Sequence, residues 1–356
     1  MRTRRPRWCT RSLGSGRRGL SRAAAAVRQD RGSVFLLASS SKQYLAFPPA
    51  SCILTIQMKT ICTDLLEIAY FDGGPQDGEP LLLLHGWPES PVGFDPLSSR
   101  LHEAGFRTIA PFLRGFGSTR FLSPETRRVG VAAALAQDAL DLMGGLGIHR
   151  FSIIGHDWGA RTGYALAALV PERLRSLCAL SLAFQPGFEF LPPSYEQSRR
   201  FWYQFFMCSD KGVTRVIDDP IGFSRFQWDT WSPPGWFREE DFRAAAHAWA
   251  NPDYPAITLN SYRSRWLQHE PRDARYNKIQ SKLSKAERID VPTLMIQGGS
   301  DFCAAPSESE GLEQCFTADY ERIVISGAGH FPHREATDTV ADAILSWLIR
   351  HKERLL

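Results

Sequence analysis

Five residues, Gly155-His156-Asp157-Trp158-Gly159, follow the apolar run Phe151–Ile154 and put a carboxylate between small residues two places to either side. Small residues at those positions permit a sharp strand-to-helix turn that lifts the central side chain above a sheet, beside a helix N-terminus whose dipole favours negative charge. An Asp there can also cap the helix Ala160–Val170, but the strand–turn–helix setting points to a nucleophile. A carboxylate nucleophile restricts the reaction. Its attack on an ester or amide gains little, because the product is an anhydride. Its attack on a saturated carbon bearing a leaving group gives an ester that water can cleave. Epoxides and alkyl halides offer such carbons, so esterase and peptidase chemistry are not expected.

Cleaving that ester needs a base. In Gly327-Ala328-Gly329-His330-Phe331-Pro332-His333, neutral His330 is the candidate and His333, one proline further on, is expected to be structural. Asp301, in Gly298-Gly299-Ser300-Asp301, is the expected partner orienting His330; the alternative is a turn residue. The order Asp157, Asp301, His330 is nucleophile, acid, base. The amides of Trp158 and Trp87 are the expected oxyanion donors, with Pro88 fixing the second loop, a cis bond being one way to do so.

These side chains need a sheet to converge on. Leu66–Tyr70, Leu81–Leu84, Arg107–Pro111, Phe151–Gly155, Leu177–Leu182, Thr293–Gln297 and Glu321–Ile325 read as short strands. Val129–Gly147, Ala160–Val170 and Thr337–Arg350 read as amphipathic helices among them. Such alternation predicts an α/β fold with a mostly parallel sheet flanked by helices. The rhythm breaks between Phe184 and Glu287, where Trp202, Trp228, Trp231, Trp236, Trp249 and Trp266 sit at helical spacing. A compact protein does not leave so long a stretch structureless. The expected organisation is therefore a core of 58–183 and 288–356 with an inserted helical cap of 184–287, some of whose aromatics line a cavity between the two.

The motifs resemble the epoxide hydrolase and haloalkane dehalogenase branch of the α/β-hydrolase fold, from about Leu66 to the C-terminus. The resemblance rests on His85-Gly86-Trp87-Pro88-Glu89, Gly155-His156-Asp157-Trp158-Gly159, Asp301 and His330-Phe331-Pro332-His333. It implies an α/β-hydrolase acting on a small apolar molecule, with His85, Pro88 and Trp202 at the substrate pocket. In epoxide hydrolases two cap tyrosines protonate the departing oxygen. Phe201-Trp202-Tyr203-Gln204 and Leu259-Asn260-Ser261-Tyr262-Arg263 resemble their contexts, which points to Tyr203 and Tyr262. A phenol near its ordinary pKa is protonated at neutral pH and competent to donate to an alkoxide. A halide would instead want N–H donors, for which Trp158 and either Trp202 or another cap tryptophan are candidates, so dehalogenation is the alternative. Arg161 matches the second arginine of fluoroacetate-type dehalogenases, whose first arginine is replaced here by Trp158, which keeps a small acidic substrate open. A non-catalytic receptor on the same fold would not need all three triad members.

Composition sets the outer limits. The 356 residues are 43% hydrophobic and 22% charged, ordinary for a globular protein. The net charge of +4 belongs to residues 1–57, where ten arginines and Lys42 face the single acid Asp30. That extension has the composition of either an organelle transit segment or sequence upstream of a functional start near Met58. The remaining chain is net acidic, which argues against nucleic-acid binding. No apolar run is long enough to cross a bilayer. Seven scattered cysteines without a Cys-x-x-Cys pair suggest neither disulfides nor zinc, and fit reduced thiols in the cytoplasm. No cofactor or metal is expected.

Overall fold

The computed structural model describes residues 57–352; the expected N-terminal extension lies outside them but for Gln57. The strands are β1 (Gln57–Cys62), β2 (Leu66–Gly73), β3 (Glu79–Leu84), β4 (Phe106–Pro111), β5 (Arg120–Phe121), β6 (Phe151–His156), β7 (Leu174–Leu180), β8 (Thr293–Gly298) and β9 (Tyr320–Ile325). They form one sheet in the order β1-β2-β4-β3-β6-β7-β8-β9, with β5 paired to β2. From β4 across to β9 every pairing is parallel, whereas β1, β2 and β5 are joined antiparallel.

Strand periodicity feeds two cores. Leu82, Leu84 and Ile153 face one, packed with helices α2 (Ala132–Gly145) and α3 (Trp158–Leu169). Leu81, Leu83 and Ile154 face the other, packed with α1 (Asp95–Glu103) and the C-terminal helix Thr337–His351. Adjacent residues thus enter opposite cores, and every residue of β6 and β8 is buried.

The seven strands and three helices expected from the sequence are present, with shifted ends. The helix expected over Val129–Gly147 begins only at Ala132, since Val131 before it is extended at φ −78° and ψ 156°; Gly130 lies so close to Ile257 that a Cβ there would meet its carbonyl oxygen at 2.4 Å. Sequence reading missed α1 and the strands β1 and β5. Between β7 and β8 stand α4 (Tyr195–Arg200), α5 (Trp202–Met207), α6 (Asp210–Asp218), α7 (Pro220–Thr230), α8 (Glu239–Ala246), α9 (Tyr254–Trp266) and α10 (Asn277–Leu283), with no strand among them. A short helix α11 (Pro332–Glu335) precedes the C-terminal helix, α12. No helix among the described residues is long and apolar enough to cross a membrane.

Parallel pairing decides where the site lies. Leu84 sits opposite Gly155, and Gly298 opposite Ile325. The segments leaving β3, β6, β8 and β9 therefore emerge at one edge of the sheet, where ligand sites of open α/β sheets form.

Candidate active site

Asp157 stands alone between the last residue of β6 and the first of α3, at φ 50° and ψ −112°. Glycine normally occupies positive φ; here an L-residue holds it, as at the tight turn of a nucleophile elbow. The flanking glycines make the turn possible. A Cβ on Gly155 would come within 2.3 Å of the Gly159 carbonyl oxygen, and one on Gly159 within 1.8 Å of the Leu84 carbonyl oxygen. The Asp157 carboxylate caps no amide of α3. It accepts instead from the Trp87 amide, which donates to Oδ1 at 2.8 Å.

His330 lies on the other side of that carboxylate, its Nε2 3.7 Å from Asp157 Oδ2, too long for a direct hydrogen bond. Its Nδ1 meets Asp301 Oδ2 at 2.9 Å. Asp301 is held in turn: the Cys303 and Ala304 amides both donate to Oδ1 at 2.8 Å, and Gln297 Nε2 donates to Oδ2 at 3.1 Å. Burial alone would push His330 down, but the charges of Asp301 and Asp157 outweigh it and hold the imidazole up to about 10. Burial likewise works to raise Asp157; His330, His156 and the Trp87 amide overcome it and keep the carboxyl below its usual value.

The helices between β7 and β8 bring the two tyrosines together above this group. Tyr203 comes from α5 and Tyr262 from α9; both are buried, with ring centres 5.2 Å apart and nearly perpendicular. The Trp87 ring stacks on Tyr203 and meets Tyr262 edge-on. Each phenol oxygen receives a hydrogen bond, from the Trp158 indole N–H on Tyr262 (3.2 Å) and from Gln204 Nε2 on Tyr203 (3.0 Å). Burial raises both phenols well above their ordinary value, and the Asp157 charge adds to the rise.

Three expected pocket residues sit differently. His85 is fully buried with both ring nitrogens committed to main chain: Nδ1 donates to the Gly86 carbonyl at 2.9 Å, and Nε2 accepts the Leu113 amide at 3.1 Å. Its ring is committed to shaping the loop. Trp202 is 38% exposed, turned toward Phe206, Phe223 and Phe226 on the outer side of the helical insertion. Pro88 follows a cis Trp87–Pro88 peptide, and its carbonyl accepts the Trp228 indole N–H at 2.7 Å. The Trp158 indole, a candidate halide donor, is already engaged by Tyr262, and Trp202 faces away.

Sequence reading also missed the residues that hold His330. The His330 carbonyl accepts from His156 Nε2 (2.7 Å) and Ser181 Oγ (2.8 Å), and its amide donates to Ser232 Oγ at 2.8 Å. Ser232 belongs to the helical insertion, just after α7, and reaches Glu335 at 2.7 Å. His156 lies inside the elbow motif and was the one visible signal. His333 is buried against His156 and Phe94, 4.0 Å from Glu89, which Arg334 holds bidentately.

A two-cored, mostly parallel sheet with an Asp elbow and a His–Asp pair at one edge defines a class, and comparison with known proteins agrees with it. The α/β-hydrolase fold profile matches residues 79–337. Epoxide hydrolase 1 of Siraitia grosvenorii is 26% identical over 322 residues, covering 82% of this chain and 98% of that protein. Epoxide hydrolase A of Mycobacterium tuberculosis is 23% identical over 323 residues, covering 82% and 96%. A solved structure from Klebsiella pneumoniae, provisionally named an epoxide hydrolase, is 34% identical with a TM-score of 0.76, covering 82% of this chain and 97% of that one. The chain belongs to the α/β-hydrolase fold family, and it is a hydrolase.

Proposed function

We propose that this hydrolase opens epoxides to diols through an ester on Asp157. The observation that carries the reading is the pair of buried phenols facing one another over the elbow. An N–H fills a lone pair on each oxygen, which leaves the Tyr262 proton, and the Tyr203 proton apart from the Cys303 sulfur 3.7 Å away, for another acceptor, and an oxirane oxygen is the acceptor the chemistry requires. Relatives named epoxide hydrolases along nearly their full length support it.

In the first step Asp157 Oδ2, the oxygen free of the Trp87 amide, attacks an oxirane carbon. The carbon–oxygen bond breaks, and Tyr262 or Tyr203 gives its proton to the departing oxygen. Esterification removes the charge of Asp157, one of the two anions that keep His330 protonated. The ring then passes its proton through solvent to the tyrosinate and acts as base while Asp301 holds it. It takes a proton from water, and the resulting hydroxide adds to the Asp157 carbonyl carbon. The developing oxyanion at Oδ1 rests on the Trp87 and Trp158 amides. Collapse breaks the ester, the diol leaves with a proton from His330, and the remaining hydrogen of the water leaves the new Asp157 carboxyl and returns His330 to its protonated state. In this reading residues 184–287 act as the cap that closes over the core of 58–183 and 288–356.

A single turnover of an aryl epoxide in heavy-oxygen water tests the ester: the label is expected in the Asp157 carboxylate. Label found only in the diol overturns the mechanism. A bromoalkane run in parallel, releasing bromide while the epoxide stays unopened, would transfer the site to dehalogenation.

A further inference from the structure

Tyr262 and Arg265 stand three residues apart on α9, the spacing that puts two side chains on one face of a helix. The half-buried Arg265 guanidinium lies 4.3 Å from the centre of the Tyr262 ring and 4.6 Å from that of Phe190. Its Nη1 donates to Gln204 Oε1 at 3.4 Å, an oxygen that also accepts the Trp266 indole N–H at 3.1 Å. With two donors on that oxygen, the amide turns its Nε2 toward Tyr203 and donates to the phenol oxygen at 3.0 Å. One guanidinium thus touches Tyr262 directly and Tyr203 through a single amide.

The charge of Arg265 is not spent on a carboxylate. Arg128, Arg225 and Arg334 also lie against aromatic rings, and each meets an acid, Asp253, Asp229 and Glu89 in turn. Arg263, two residues earlier on the same helix, is paired with Glu270 at 2.8 Å. Among the described residues Arg265 has no such partner; its polar contact is the Gln204 amide.

A phenol buried beside a carboxylate is a reluctant acid. Burial and the Asp157 charge both resist loss of the Tyr262 proton, and Arg265 opposes them. The other charged or titratable neighbours are Tyr203 on α5, Cys303 after β8 and Arg161 on α3, whose guanidinium lies against Phe190. The negative charge of a phenolate spreads from its oxygen into the ring. A cation against the ring face therefore attracts the phenolate more strongly than the phenol, and an attraction that grows as charge develops speeds the step.

We propose that Arg265 is a positioning residue for ring opening: resting on the Tyr262 ring with no carboxylate of its own, it stabilises the phenolate left when Tyr262 gives its proton to the oxirane oxygen. Through Gln204 it also fixes the oxygen of Tyr203.

The consequence for ring opening rests on the epoxide reading, whereas the coupling to Tyr262 does not, so two measurements separate them. The first uses no substrate. A trifluorinated tyrosine incorporated at position 262 of the full chain forms its phenolate at lower pH than tyrosine and can be followed by absorbance. Arg265→Gln is expected to raise the midpoint of that titration by about one pH unit and Arg265→Lys by clearly less, with circular dichroism checking the fold. An unmoved midpoint in Arg265→Gln overturns the proposal. If that variant does not fold, Arg265→Met, which keeps the apolar stem, takes its place; if neither folds, the residue is structural and the proposal falls as well. The second follows a single turnover of an aryl epoxide by quenched mass measurement. Arg265→Gln in the natural chain is expected to slow formation of the Asp157 adduct about three- to tenfold, part or all of one pKa unit. Breakdown of the adduct should not slow, because Tyr262 has its proton back before water attacks. Equal slowing of both steps overturns the assigned role. If the midpoint moves yet wild-type protein opens no epoxide, the coupling stands and the epoxide reading falls.

Discussion

His330 is held between two carboxylates, and its protonation reports which of them is charged. While Asp157 is free, the ring is pushed up to about 10; once Asp157 is esterified, only Asp301 remains to hold the proton. Acid should therefore slow ester hydrolysis before it slows ring opening, since Asp157 stays ionised below its usual pKa. Intact-protein mass measured after rapid quenching near pH 5 should show a substrate adduct that is scarce near pH 8. The adduct should persist at both pH values in His330→Gln. Equal adduct at both pH values in wild-type protein would remove His330 as the base. The same titration has a stability consequence. A histidine raised from 6.5 to about 10 in the folded state stabilises fully below pH 6.5, and this contribution fades as the pH rises through about 10. The melting-temperature gap between wild type and His330→Gln should narrow over that window. Trp158 supplies a second test at this scale. Trp158→Phe keeps the ring but removes the N–H that occupies the Tyr262 oxygen. Loss of one neutral hydrogen bond is worth about 1 kcal/mol, so kcat/KM for an epoxide should drop roughly fivefold with the fold intact. Unchanged kinetics would mean that Tyr262 is oriented by packing alone.

The elbow is built from strand, turn and helix, and its glycines are read directly from their surroundings. Gly159 faces the β3 backbone so closely that a methyl group cannot fit without moving main chain. Gly159→Ala should destabilise by about 3 kcal/mol or more, because the obstructing Leu84 carbonyl belongs to a central strand. Urea titration checks this; a loss under 1 kcal/mol would show that the turn is softer than its packing implies. Elements of this kind were legible in the sequence because their patterns are strong: β3 ends in four leucines, β6 opens on a mostly apolar run, and Gly-His-Asp-Trp-Gly marks the turn from β6 into α3. The segment between β7 and β8 was legible only as a helical stretch. Trp202 and Tyr203 are adjacent, so on a helix they point about 100° apart, and with aromatics on every side the sequence could not say which faced inward. Tyr203, Gln204 and Met207 do; Trp202 and Phe205 do not. His85 misled for another reason. Its motif is distinctive, but its partners are backbone groups of Gly86 and Leu113, which no side-chain pattern reveals. The edge strand β1 escaped because its residues are mostly exposed or half-exposed.

At the scale of the whole molecule, the core and the helical insertion share structural duties. Ser232 and Trp231 come from the insertion yet fix the amide and flank the ring of His330. At the other end of the insertion, where the chain returns to the sheet, Arg114 ties three parts together. Its guanidinium meets both oxygens of Asp138 on α2 at 2.6 Å, the Val129 carbonyl at 2.9 Å and the Tyr276 hydroxyl at 2.9 Å. The group is buried, so neither charge can fall back on water when the other is removed. Asp138→Ala should then cost about 3–5 kcal/mol of stability, the range for breaking a buried pair and leaving one charge behind. Replacing both partners, Arg114→Leu with Asp138→Leu, should recover much of that loss, since no uncompensated charge remains. Urea unfolding of the two variants separates the explanations. If the double variant is as unstable as Asp138→Ala, the lost bonds to Val129 and Tyr276 hold the return segment in place, and the charge pair itself is secondary.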